Sequence, residues 1–154
     1  DKYFKSKKLK IGIKWQGNSD KEKNRMINLK EFCPLLEIPD VEFYSLQLGE
    51  GIEQLEDLPK RYKITDMSKE MKDFSDTAAL IDNLDLVISN DTSVAHLAGA
   101  IGKKCWVILP FVQNWRWHKN ISFCPWYDSV KLYKQNHAGD WHCVFEKMVK
   151  ELES

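Results

Sequence analysis

The sequence predicts an α/β fold, a Rossmann-like parallel sheet with helices on both faces. Three observations predict it. Apolar runs and helical patterns alternate from end to end, the signature of β-α-β units. The runs Leu86-Val87-Ile88 and Cys105-Trp106-Val107-Ile108-Leu109 are nearly continuous, as in central strands covered on both faces. Between them, Asn90-Asp91-Thr92 turns the chain into a helix of small residues. With 154 residues and no evident linker, repeat or low-complexity segment, one domain is the economical count.

The elements follow in order. Leu9 to Trp15 alternates as a strand, with Ile11, Ile13 and Trp15 on one face. A polar loop from Gly17 to Asn24 leads to a helix over Leu29 to Leu36, capped by Asn28 and shortened or bent by Pro34. Val41 to Leu46 is the second strand, ended by Gly49 and Gly51. A short helix over Ile52 to Leu58 stops at Pro59, and Tyr62 to Thr65 is a weak third strand. Ser75 or Asp76 caps a helix over Thr77 to Asn83, before the fourth strand, Leu84 to Ser89. The small-residue helix spans Ser93 to Ile101 and closes at Gly102. The fifth strand, Cys105 to Leu109, halts at Pro110, and an aromatic loop runs from Phe111 to Tyr127. Val130 to Tyr133 is the sixth strand, and Asp140 caps a final helix from Trp141 to Leu152.

Composition narrows the function classes. Hydrophobic residues make 43% and charged residues 30% of the chain, ordinary for a soluble protein. Lys plus Arg and Asp plus Glu are both 23, so no overall charge favours nucleic acid as a partner. The five lysines of DKYFKSKKLK read as a solvated leader. No stretch approaches the ~20 apolar residues of a membrane span. The start at Asp1 suggests a piece of a longer protein. Cys33, Cys105, Cys124 and Cys143 are widely spaced, as structural thiols of a cytoplasmic protein would be, and no metal site is expected.

The candidate site lies where the fourth strand meets its helix. In an open α/β sheet, ligands bind beyond the carboxyl ends of the strands. A helix start there offers unpaired N–H groups and the positive end of a dipole, which suits phosphate, and Thr92 and Ser93 add hydroxyls. Ala95, Ala98, Gly99 and Ala100 let the helix sit close to the sheet. Asp91 either caps the helix or bonds sugar hydroxyls or a neighbouring donor. His96, one turn in, either reaches a ligand or is a satisfied buried imidazole. At the first strand's end, Trp15, Gly17, Asn18 and Arg25 form either a ligand wall, with the Arg25 fork on phosphate, or an ordinary surface loop. Gln47, ending strand two, could meet a base or ribose at the same edge. Trp115, Trp117, Trp126 and Tyr127 either stack on sugar or make a satellite core. No G-x-x-x-x-G-K-[ST] loop, G-x-G-x-x-G after strand one or G-x-S-x-G elbow occurs, which disfavours an ATPase, a dinucleotide dehydrogenase and a serine hydrolase.

Taken together, Ile11-Gly12-Ile13-Lys14-Trp15-Gln16-Gly17-Asn18, Ser45-Leu46-Gln47, Asp76-Thr77-Ala78-Ala79-Leu80-Ile81, Asp85-Leu86-Val87-Ile88-Ser89 and the Asp91 to Ala100 segment resemble glycosyltransferase family 9. Pro110-Phe111, Trp115-Arg116-Trp117, Pro125-Trp126-Tyr127 and Asp140-Trp141 continue the match in order. The family comprises the ADP-heptose:lipopolysaccharide heptosyltransferases and relatives, and the match is nearest to those that follow tetratricopeptide repeats in bacterial proteins. The resemblance implies one half of a GT-B glycosyltransferase, the C-terminal domain that holds a nucleotide diphosphate sugar as donor. An N-terminal acceptor domain or repeats of the same protein would be its partner and supply the general base. No further cofactor is implied. Asp91, Thr92 and Ser93 would meet diphosphate and donor sugar, with His96 close by and Trp15, Gly17, Asn18 and Arg25 on the opposite wall. Relatives often carry lysine just after Ser-Leu-Gln, where Leu48 stands here. Two rivals to transfer are a non-catalytic binding or docking module attached to repeats, and a nucleotide-sugar epimerase of GT-B-like fold.

Overall fold

The computed structural model describes residues 4–17, 26–111 and 127–154. Six strands form one sheet in the order β3-β2-β1-β4-β5-β6: β1 Leu9–Lys14, β2 Val41–Ser45, β3 Ile64–Asp66, β4 Leu86–Asn90, β5 Cys105–Leu109 and β6 Val130–Lys134. Every pairing is parallel. All residues of β4 and β5 are buried, as their unbroken apolar runs require.

The helices divide between the two faces. On one face lie α1 (Cys33–Leu36) and α5 (His142–Glu153), packed over Ile11, Ile13, Ile88 and Trp106. Phe32 and Phe145 join these helices edge to face, with ring centroids 4.7 Å apart. The short α2 (Gln54–Asp57) contributes Leu55 to that cluster. On the other face, α3 (Phe74–Asp82) and α4 (Ser93–Ala100) cover Tyr44, Leu46, Val87 and Val107. The chain leaving β1 thus enters one face and the chain leaving β4 enters the other, so the β1/β4 pair is the topological switch point.

Local chemistry shifts several element ends. The segment from Leu29 begins as a 3-10 turn, Leu29–Phe32, with the Asn28 side chain accepting Lys30 N–H as expected. Pro34 has no N–H for the carbonyl of Lys30, which instead accepts the Cys33 N–H, and α1 starts afresh there. α3 begins three residues earlier than the reading from Thr77. Its cap is neither Ser75 nor Asp76 but Asp73, which accepts Asp76 N–H at 2.9 Å, while the Asp76 carboxylate accepts Lys72 N–H at 3.1 Å. Two orphan donors are satisfied reciprocally, in the manner of a capping box. The third strand falls at Ile64–Asp66 rather than Tyr62 to Thr65. Gly102 closes α4 with φ +75°, its N–H on Gly99 O and the Lys103 N–H on Ala98 O, a Schellman ending. Asp140 accepts Cys143 N–H at 3.4 Å at the start of α5. No helix among the described residues is long and apolar enough to cross a membrane.

Two outcomes test this packing. A Cβ at Gly12 would lie 2.5 Å from Leu84 Cδ1 and 2.9 Å from Leu46 Cδ1, so Gly12→Ala should destabilise the fold by about 1–3 kcal/mol in denaturant melts. Lys131 Nζ and Tyr133 OH both donate to Glu151, which holds that carboxyl below its ordinary range. A depressed folded-state pKa gives stability present above the unfolded value and lost as pH falls through the folded one. Glu151→Gln should therefore be less stable than the parent at neutral pH, with the gap closing only as pH falls below the ordinary carboxylate range, as thermal melts across pH would record.

Candidate functional site

The site is built from the carboxyl ends of β1, β2 and β4. At the end of β4, Thr92 is the N-cap of α4 in extended conformation (φ −140°, ψ 175°). Its side chain does not fold back to cap the helix; the Thr92 Oγ1 lies 3.2 Å from Ser89 Oγ instead. Thr92 O accepts the Ala95 N–H at 3.1 Å. Among the described residues, the first amides of the helix, those of Ser93 and Val94, have no hydrogen-bond acceptor. Ser93 is exposed and Thr92 nearly buried. Ala95 and Ala98 lie fully against the sheet, as the small-residue pattern predicts. Gly99 serves a different contact: a Cβ there would meet the Tyr127 ring at 2.6 Å. Ala100 faces solvent.

Asp91 is buried and is not the cap. Its Oδ1 lies 3.4 Å from His96 Nε2. The two line a cavity of about 560 Å³ with Thr92, Ser93, Phe74 and Tyr127. His96 is partly exposed there, and its ring stands edge-on to Tyr127 with centroids 6.1 Å apart. Tyr127 thus both packs on α4 and faces the cavity. Trp115, Trp117 and Trp126 lie outside the described residues.

On the β1 side, Gly17 lies across from Thr92 and Ser93 on a second cavity of about 500 Å³, whose lining is polar (Lys14, Gln16, Glu50) apart from Leu48. Asn18 and Arg25, expected on the same wall, lie outside the described residues. A third cavity of about 230 Å³ lies between α3 and α4 and is mostly apolar, walled by Leu46, Met71, Phe74, Val94 and Leu97.

Two residues expected to meet the ligand, Trp15 on the wall and Gln47 at a base or ribose, are buried. Trp15 is completely buried in the core and its Nε1–H donates to Gly51 O at 3.1 Å. It presents no surface to a ligand, because β1 points it to the same face as Ile11 and Ile13. Gln47 is 1% exposed and its amide is already engaged. Oε1 accepts the N–H groups of Trp15 (3.3 Å) and Gln16 (3.2 Å), and Nε2 donates to Gln16 O (2.9 Å) and Glu50 O (2.7 Å). Gln54 Nε2 adds a bond to Gln16 Oε1 at 3.1 Å. Gly51, at φ +91°, leaves no room for a Cβ beside the Gln16 amide. These bonds tie the loops after β1 and β2 into one wall. Conversely, Lys14, Leu48, Glu50, Met71 and Phe74 line the cavities without having been singled out as site residues. The alternation of β1 carried the signal for Lys14, since Ile11, Ile13 and Trp15 inward on one face puts Lys14 on the other.

A doubly wound parallel sheet with its crevice at the switch point is the architecture of a GT-B-like glycosyltransferase half, and solved structures agree. The glycosyl transferase family 9 structure from Veillonella parvula superposes with a TM-score of 0.67 at 14% identity, covering 99% of this chain and 47% of that one. The E. coli ADP-heptose lps heptosyltransferase II gives 0.68 at 14% identity, over 97% and 49%. The family model described as glycosyltransferase family 9 (heptosyltransferase) matches residues 50–137, more than half of the sequence, and the chain belongs to that family. Protein FlbA of Caulobacter vibrioides is 28% identical over 149 residues, 93% of this chain and 25% of that protein. The chain therefore spans about a quarter of this curated relative and about half of the solved ones.

Removing the Gln47 amide tests its part in the wall. Gln47→Ala strands two buried backbone donors and should lower stability by about 2–4 kcal/mol. A denaturant melt that leaves the parent midpoint unchanged would contradict the assignment.

Proposed function

We propose that this chain is the donor-binding part of a glycosyltransferase, taking a nucleotide diphosphate sugar and serving glycosyl transfer to an acceptor hydroxyl. The observation that carries the reading is the start of α4. Its unused Ser93 and Val94 amides and the Thr92 and Ser93 hydroxyls open at the switch point, between cavities large enough for a nucleotide and a sugar. A diphosphate there gains hydrogen bonds and the positive end of the helix dipole.

The charge that builds on the leaving nucleoside diphosphate as the glycosidic bond breaks is met by these fixed donors. The apolar notch beside Met71 and Phe74 suits the base, a place earlier given to Gln47, whose amide is committed to the wall. Asp91 and His96 line the cavity suited to the donor sugar. Gly17, with Asn18 and Arg25 beyond it, belongs to the opposite wall. Family membership and the heptosyltransferase named among the solved relatives favour a heptose-like sugar. The acceptor half, with the general base, is assigned to a separate domain preceding this one in a cytoplasmic protein of the kind that carries tetratricopeptide repeats. This chain by itself then binds donor and transfers little sugar.

Calorimetry with ADP, GDP, UDP and CDP tests the reading. One of them should bind, and Thr92→Ala should weaken it by roughly 1–2 kcal/mol with the fold intact. Phe74→Ala should weaken binding of the nucleoside as well, since the exposed Phe74 ring walls the base notch. Failure of all four diphosphates to bind the parent chain would remove the donor role.

A further inference from the structure

We propose that Lys14 is the cation that grips the donor's diphosphate, an inference that rests on the donor-binding reading above and specifies its phosphate contact. Lys14 is the last residue of β1 and pairs with Ser89, three residues before Thr92. Strand alternation sets its side chain on the face of Gly12, opposite Ile11 and Ile13. That is the face covered by α3 and α4. The side chain is 8% exposed, and it lines both the apolar notch and the polar cleft.

Among the described residues, only Leu48 and Ser93 share that double position. The three mark the seam through which a nucleotide must pass if its base sits in the notch and its phosphates lie in the cleft. Ser93 brings the first amide of α4 and a hydroxyl, Lys14 brings a charge, and Leu48 is apolar. Acidic groups border the same cavities: Glu50 in the cleft and Asp73 at the mouth of the notch, with Lys72 beside it. A carboxylate such as Glu50 suits hydroxyls of ribose or sugar and repels phosphate, so the phosphates are confined to the Lys14 and Ser93 side. Lys14 is itself nearly buried, and a charge-assisted bond from such a shielded ammonium to a phosphate oxygen is stronger than the same contact from a fully solvated one.

The experiment compares the full chain with Lys14→Met, which keeps the stem and removes the charge. Calorimetry uses whichever of ADP, GDP, UDP and CDP the parent binds best, together with the matching nucleoside. Lys14→Met should weaken the diphosphate about tenfold or more and the nucleoside less than about twofold. Lys14→Arg should keep most of the diphosphate preference. Leu48→Lys in the Lys14→Met background should restore part of the loss by returning a charge to the same seam. Should Lys14→Met not fold, as judged by thermal unfolding, Lys14→Gln removes the same charge. A folded charge-free variant that binds the diphosphate as tightly as the parent, or loses diphosphate and nucleoside equally, overturns the Lys14 assignment and leaves the donor reading standing. If no diphosphate binds the parent, the donor reading itself fails and Lys14 falls with it.

Discussion

Much of this molecule depends on a divergence between two neighbouring strands. β1 and β4 are hydrogen-bonded in parallel, yet the chain leaving β1 goes to one face and the chain leaving β4 to the other. Right-handed crossovers make this unavoidable where the strand order reverses. The consequence is a gap at the carboxyl ends that backbone alone cannot fill, and the start of α4 stands in it. Site and fold are therefore one constraint. The same reversal that lets α3 and α4 cover Val87 and Val107 brings the start of α4, at Ser93 and Val94, to the carboxyl edge of the sheet.

The wall opposite α4 is rigid for a different reason. A loop at a strand's end carries backbone groups that must be satisfied, and here one buried side chain satisfies several. The Gln47 amide matches donors and acceptors from Trp15, Gln16 and Glu50, and Gly51 approaches closely enough to accept the Trp15 indole N–H. Shielded from water, such a network is far more costly to leave half-made than to complete. The network ties the Gln16 and Glu50 backbones together on the side of the cleft that faces Thr92 and Ser93.

Chemistry across the crevice is graded. Apolar walls lie between α3 and α4, polar groups lie between the β1 loop and α4, and the Asp91 and His96 pair faces the third cavity beside Tyr127. The donor proposed above, a nucleotide sugar, would offer a base, a diphosphate and a hydroxylated ring to these three surfaces.

The sequence alone determined the alternation of strands and helices, the full burial of β4 and β5, the α4 start and its Gly102 ending, and the family. These rest on local physics: hydrophobic period, capping chemistry and the left-handed backbone only glycine adopts readily. Local chemistry also left ambiguities it could not resolve. The sequence offered Ser75 or Asp76 as the cap of α3, and only the geometry of the Lys72–Asp76 turn put Asp73 there. Whether Trp15 and Gln47 meet a ligand or the core depended on which residues lie across the neighbouring strands and loops, and so did the emergence of Lys14 at the seam. A side chain's partners far along the chain are fixed by packing, which no window of sequence contains.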